Sequence, residues 1–191
     1  EGLKKEYVQF LYSKKKEVTP TGTCLILITP DSERTMLTFL GTAGKINEND
    51  IDANAVKESE ILFLEGYLWD EGDPKTAFEK AINNSNKVAM SLSDLFCVER
   101  HKPHFLELVR NKLDITFANE QEIMSLIDAK KFDDVINFAK EINKLVIVTR
   151  GDKGAIAINK NGVSECSART NLKIVDLTGA GDLFAGGFLH G

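Results

Sequence analysis

The residues best placed to do chemistry lie in Asp176-Leu177-Thr178-Gly179-Ala180-Gly181-Asp182, followed by Leu183-Phe184-Ala185-Gly186-Gly187-Phe188. Leu172 to Val175 reads as a strand that runs into this glycine-rich turn and then into an apolar helix. The first turn of a helix leaves N–H groups without helical partners. Those of Gly179, Ala180 and Gly181 should therefore form an anion-binding nest at the positive end of the helix dipole. Glycine there lets an oxyanion approach the main chain unobstructed. Asp182, beside the nest, could accept a proton from an attacking hydroxyl. Phosphoryl transfer needs this pairing of a cradled phosphate with an oriented nucleophile. Aspartate is also a good N-cap, so spacing alone leaves a structural role open. Two other nucleotide motifs fail. A P-loop needs G-x-x-x-x-G-K-[ST], which the chain lacks. A dinucleotide fingerprint begun at Gly179 and Gly181 needs a small residue where Phe184 stands.

Positioning such a turn calls for a layered scaffold, and the composition permits one. The chain has 191 residues, 42% hydrophobic and 28% charged, enough for a core and for about one domain. From residue 50 onward, strand-like and helix-like stretches alternate. Ile61–Leu64, Lys87–Leu92, Asp114–Ala118 and Leu145–Val148 read as strands. Asp73 and Pro74, as N-cap and first helical residue, open a helix to about Asn83. Further helices are expected over Pro103–Val109, Asn119–Ile127 and Asp133–Ile142. Alternation of this kind implies a mostly parallel sheet flanked by helices, an α/β fold. Asn161-Gly162 between Ala155–Asn159 and Val163–Cys166 predicts an antiparallel hairpin. The first 40 residues depart from the rhythm. A helix over Gly2–Val8 and strands over Phe10–Tyr12, Thr23–Thr29 and Arg34–Phe39 suggest a small antiparallel unit.

Several function classes are disfavoured. A net charge of −5 argues against nucleic acid or an anionic membrane as the main partner. No stretch approaches the ~20 apolar residues of a membrane-spanning helix. Cys24, Cys97 and Cys166 are odd in number and widely spaced, which suits a reduced, cytoplasmic protein. Cys97, His101 and His104 have metal-compatible helical spacing, but Pro103 should break the register between them. Lys14-Lys15-Lys16 reads as a solvated strand end or loop.

Taken together, the Asp-x-Thr-Gly-Ala-Gly-Asp run and Ala185-Gly186-Gly187-Phe188 resemble the C-terminal signature of the ribokinase-like, or PfkB, carbohydrate kinases. Leu177 departs from the residues usual at its position. Asn119-Glu120-Gln121-Glu122 is similar to the family's Asn-x-x-Glu motif, though Asn119 with Glu122 would equally make a capping box. Thr149-Arg150-Gly151-Asp152-Lys153-Gly154 resembles the family's Thr-x-Gly-x-x-Gly loop, or is a plain turn between strands. Each motif follows a strand, at the sheet edge where α/β proteins bind ligands. Pro20–Thr23 and Pro30–Thr35 resemble the family's β lid. Leu64–Asp70 and Leu92–Cys97 resemble its adenosine-kinase-like branch.

The resemblance implies an ATP-dependent kinase acting on a hydroxymethyl group of a sugar or nucleoside, with Mg²⁺. A non-catalytic nucleotide- or metabolite-binding domain of the same fold is the alternative. By resemblance, Asp182 is the general base, and Gly179, Ala180 and Gly181 stabilise the transferring phosphoryl group. Asn119, Thr149, Gly151, Gly154 and Thr178 bind ATP, and Glu122 acts on the metal indirectly. Arg34 and Phe96 join Asp182 at the substrate, unless Arg34 is a surface residue and Phe96 a core aromatic. Residues 1–40 would hold part of the β lid and a flanking helix, and residues 41–191 an incomplete kinase core. A homodimer through the β lid is compatible with this reading. The family's Gly-Gly substrate segment has no counterpart here, and the family continues past the last helix. The chain is thus expected to be part of a longer single-domain kinase, with little or no activity alone. Adenosine, ribose and fructose phosphate all stay open as acceptors.

Overall fold

The computed structural model describes residues 2–11, 16–31, 34–69 and 72–191. Helix α1 spans Gly2–Lys5, and strands β1 (Thr23–Ile28) and β2 (Arg34–Phe39) form a two-stranded antiparallel sheet. Residues 41–45 and 48–50 form 3-10 turns leading to α2 (Ala53–Glu58). The main body then follows as β3 (Leu62–Glu65), α3 (Asp73–Asn84), β4 (Val88–Ser91), α4 (Leu95–Asn111) and β5 (Ile115–Asn119). It continues with α5 (Glu120–Leu126), α6 (Phe132–Ile142), β6 (Leu145–Thr149), β7 (Ala155–Asn159), β8 (Gly162–Cys166) and α7 (Ala180–His190).

The six-stranded sheet runs in the order β3-β4-β5-β6-β7-β8. β3 to β6 are parallel, and the β7–β8 hairpin closes the sheet in antiparallel sense. Its strands alternate between two cores. Met90, Ala118, Val146 and Val148 face a large cluster with Phe105, Ile123 and Val135 of helices α4, α5 and α6. Ala89, Ile115, Phe117 and Ile147 face a smaller cluster that includes Ala185 of α7. The unbroken apolar run of β6 follows from this, since a parallel strand covered on both faces has no solvent side. The register Asn119↔Thr149 places the carboxyl ends of β5 and β6 side by side.

The α/β class and the N-terminal antiparallel hairpin agree with the sequence reading. Several local expectations are corrected. Phe10 and Leu11 are not in a strand, and Tyr12 lies outside the described residues, as do Lys14, Lys15 and Asp70. The first helix stops at Lys5 rather than Val8. Gly72 rather than Asp73 caps α3, so Asp73 enters the first turn, where its charge meets the helix dipole. α4 begins at Leu95, because the Asp94 carboxylate accepts from the Phe96 N–H at 2.8 Å and caps it. Pro103 does disturb that helix: His101 has φ −115° and ψ 18°. No three His, Cys, Asp or Glu side chains among the described residues could hold a metal together. Residues 172–175 form no strand. Leu172 and Val175 are exposed there; a strand needs a neighbour to supply its ladder, and apolar composition alone does not provide one.

Candidate active site

A cavity of about 400 Å³ opens at the carboxyl ends of the parallel strands. Each strand contributes the residue that ends it: Glu65 from β3, Ser91 from β4, Asn119 from β5 and Thr149 from β6. Facing them is the turn Thr178–Asp182 at the start of α7. Arg34 and Met36 of β2 reach the same cavity from the small sheet. This convergence follows from topology. Parallel crossovers bring every strand's carboxyl end to one edge, and each following loop must leave from there.

Gly179 is the N-cap of α7 and has φ 76° and ψ 6°, a left-handed conformation that glycine adopts without strain. A Cβ on Gly179 would lie 3.8 Å from Asp182 Oδ2, so the carboxylate sits close over the turn. The Ala180 N–H donates to the Leu177 carbonyl at 3.2 Å, which closes the turn. The expectation that all three N–H groups face an anion is thereby narrowed. Those of Gly179 and Gly181 have no acceptor among the described residues, and they are the N–H groups left to bind one. Behind the turn, the Asp176 carboxylate accepts from the Thr178 N–H at 2.8 Å. That bond, a second from the Thr178 side chain and the nearby Arg34 guanidinium hold Asp176 below the ordinary carboxylate value.

Asn119 and Glu122 form a reciprocal capping box. The Asn119 N–H and side-chain amide donate to Glu122 Oε2 and Oε1 at 2.9 and 2.7 Å, and the Glu122 N–H donates to Asn119 Oδ1 at 2.8 Å. Glu122 is 6% exposed. Burial pushes its carboxyl above the ordinary value against the opposing Asn119 N–H, and the charges of Asp94 and Glu65 add to the rise. The structural capping role is thus realised, and the carboxyl still lines the cavity.

Of the residues selected from sequence, Arg34, Asn119, Glu122, Thr149, Thr178, Gly179, Ala180, Gly181 and Asp182 meet in this one cavity. Phe96, Gly151 and Gly154 do not line it. Phe96 is 60% exposed in the first turn of α4, with the Arg100 guanidinium 4.4 Å from its ring centre. Gly154 has φ 91°, and a Cβ there would lie 2.0 Å from the Cys166 carbonyl oxygen. It lets the strand after the loop pass against the end of β8.

Glu65, Tyr67, Ser91 and Ser93 line the cavity and were not selected from sequence. Ser93 Oγ donates to Glu65 Oε2 at 2.8 Å, and the Tyr67 hydroxyl donates to the Ser93 carbonyl at 3.0 Å. Ser93 has φ 71°, an uncommon conformation for a non-glycine residue. Burial pushes Glu65 above its ordinary value, Ser93 opposes the rise and the Asp182 charge adds to it. Tyr67 is pushed up to about 12, by burial and then by Asp94, Cys97, Glu122 and Glu65, so it stays a donor. The sequence did carry a signal for Glu65: it is the polar residue that ends an apolar strand, as Asn119 ends β5.

Comparisons with known proteins agree with this fold. The model of the pfkB family carbohydrate kinases matches residues 1–191. The adenosine kinase of Schizosaccharomyces pombe is 26% identical over 192 residues, covering 90% of this chain and 56% of its own length. The crystal structure of adenosine kinase from Sinorhizobium meliloti superposes with a TM-score of 0.92 at 35% identity, over 98% of this chain and 59% of that one. The structure of a probable sugar kinase from Rhizobium etli gives a TM-score of 0.91 at 36% identity, over 99% of this chain and 59% of that one. The chain therefore spans a little over half the length of these relatives. Among the described residues, no helix is long and apolar enough to cross a membrane. On the match across its whole length, the chain belongs to the pfkB family of carbohydrate kinases.

Proposed function

We propose that this chain carries the phosphoryl-transfer centre of an ATP-dependent kinase whose acceptor is a hydroxymethyl group of a sugar or nucleoside. One observation carries the reading. A carboxylate, Asp182, and an anion-binding turn, Gly179 to Gly181, share a cavity with the strand-end residues Asn119 and Thr149 and with Glu122. Adenosine kinase and sugar kinase relatives support the acceptor class.

In this mechanism Asp182 takes the proton of the acceptor hydroxyl as the oxygen attacks the γ-phosphorus. A new phosphorus–oxygen bond forms, the bond to the β,γ-bridging oxygen breaks and ADP leaves. The Gly179 and Gly181 N–H groups stabilise negative charge on the phosphoryl oxygens. Arg34, carried on the small sheet, supplies a cation at the same place. A bound Mg²⁺ would supply charge neutralisation for the phosphates of ATP, and such an ion usually keeps several waters and few protein ligands. Glu122 and Glu65, in the cavity wall, would hold it through those waters. Closure of the β1–β2 hairpin over the cavity would exclude water and limit ATP hydrolysis. Cys24, Cys97 and Cys166 form no disulfide among the described residues, which suits a reducing cytoplasm.

The test is ADP release by the full-length protein with a panel of sugars and nucleosides, repeated with Asp182→Asn. Loss of a general base should lower kcat by about 10²–10⁴-fold with folding unchanged. Turnover within a few-fold of wild type would remove Asp182 from the role. ATP binding without ADP formation across the panel would favour a non-catalytic domain of the same fold.

A further inference from the structure

We infer that Arg150 is a positioning residue for the nucleotide side of the cavity: with Glu120 and Phe132 it latches the loop after β6 to the helix after β5. The inference rests on the kinase reading above. Arg150 Nε donates to Glu120 Oε2 at 2.9 Å, and Lys153 Nζ lies 3.7 Å from Glu120 Oε1. The Arg150 guanidinium carbon lies 3.9 Å from the ring centre of Phe132, the first residue of α6. The Arg150 N–H donates to the Gly154 carbonyl at 2.8 Å, so the same residue closes the turn it anchors. One side chain thereby joins the end of β6 to the starts of α5 and α6.

This is not an ordinary surface ion pair. The side chains of Arg150 and Glu120 are 21% and 26% exposed, so the pair is partly shielded from water. The Arg150 hydrogen bond, with the charges of Arg150 and Lys153, holds the Glu120 carboxyl below its ordinary value against the opposing effect of burial. Glu120 is also the first residue of α5, where a negative charge meets the helix dipole. A planar guanidinium that stacks on a ring and donates from Nε cannot be replaced by lysine without losing both contacts.

The latch sits one residue beyond the site. Asn119 and Thr149 are paired in register and both line the cavity. Glu120 and Arg150 are their immediate successors. The latch therefore fixes the separation of two cavity walls exactly where the chain leaves the sheet ladder. Two basic residues in the Thr149–Gly154 loop invite a reading as phosphate ligands. The geometry instead turns both toward Glu120, with Arg150 the inner contact and Lys153, 60% exposed, the outer one.

The test is steady-state kinetics of the full-length protein with Arg150→Met, Arg150→Lys and Glu120→Gln. Arg150→Met should raise KM for ATP about tenfold, with kcat at saturating ATP and KM for the acceptor within about twofold of wild type. Arg150→Lys should recover only part of the loss. The double variant should be little worse than Arg150→Met alone, because both changes break one contact. Glu120→Gln, which keeps the shape, serves if Arg150→Met does not fold, and should raise KM for ATP about threefold. A kcat that falls with the folded fraction, at unchanged KM for ATP, would reduce the latch to a structural contact and overturn the inference. A large fall in kcat with Arg150→Met, together with tighter ATP binding in Glu120→Gln, would make Arg150 a phosphate ligand and overturn it too. Variants that match wild type overturn the latch alone, whereas a wild type that neither binds ATP nor forms ADP overturns the kinase reading and the latch with it.

Discussion

The two sheets are built from similar residues and end in opposite surroundings. β1 reads Thr-Cys-Leu-Ile-Leu-Ile and β6 reads Leu-Val-Ile-Val-Thr. Val146 and Val148 of β6 are fully buried, whereas Leu25 of β1 and Leu37 of β2 are 58% and 59% exposed. Every residue of β1 and β2 is exposed. The difference is one of layers. β6 has strands on both edges and helices over both faces, while each strand of the hairpin has one neighbour and no covering layer among the described residues. A two-stranded hairpin is marginal without such cover. Its base is therefore tied by other means: the Thr42 N–H donates to the Pro20 carbonyl at 3.0 Å and Lys45 Nζ to Thr19 Oγ1 at 2.8 Å. Apolar composition with a paired neighbour makes a strand, and only the elements stacked on it make a core.

That contrast can be broken by substitution. Phe105→Ala empties a fully buried site in the large core and should cost about 3–5 kcal/mol, read as a shift in urea midpoint. A loss below about 1 kcal/mol would mean that the six-stranded sheet is not the stabilising layer. Gly154→Ala adds a Cβ at positive φ, 2.0 Å from the Cys166 carbonyl. It should cost about 1–3 kcal/mol, measured the same way, with amide exchange accelerated locally in β7 and β8. Wild-type stability and exchange would show that the hairpin shifts freely.

The rim of the cavity gives a smaller effect that depends on pH. Glu65 holds its proton more tightly when folded than its ordinary value of 4.5 implies. The folded state therefore binds more protons than the unfolded state as pH rises from that value through the raised one, and stability falls across this window. Glu65→Gln removes the penalty, so the variant should gain on wild type as pH rises above 4.5 in paired urea melts. A constant difference across that window would refute it. The smallest effect belongs to the exposed hairpin: Leu37→Ser should change stability by less than about 0.5 kcal/mol. A loss above about 1 kcal/mol would show that something covers the hairpin in the full-length protein.

The repeating α/β body was readable because its signals are local. Asn119 and Glu122 carry both an N-cap pattern and a motif, and the structure realises the cap with three hydrogen bonds. Asn161-Gly162 announced the β7–β8 hairpin, and Asp182, singled out from a glycine-rich run, lines the cavity. Less legible was everything that depends on a distant partner. Leu172–Val175 has strand composition but no ladder. Phe96, expected at the substrate or in the core, lies exposed outside the cavity beside Arg100. Ser93 and Tyr67 lie in segments that carry a family resemblance but no assigned role; they line the cavity because the turns after β3 and β4 fold toward each other.

The sequence by itself determined the period of the elements, the cap that starts α5, and the chemistry available at Asp182 and the turn before it. These follow from side-chain size, backbone freedom and hydrogen bonding within a few residues. Tertiary structure alone decided which residues share the cavity, which N–H groups of the Gly179–Gly181 turn stay open, and that Arg150 and Lys153 answer to Glu120. Those outcomes depend on strand register and on helices packing from elsewhere in the chain, and no local pattern encodes a distance between segments 30 residues apart.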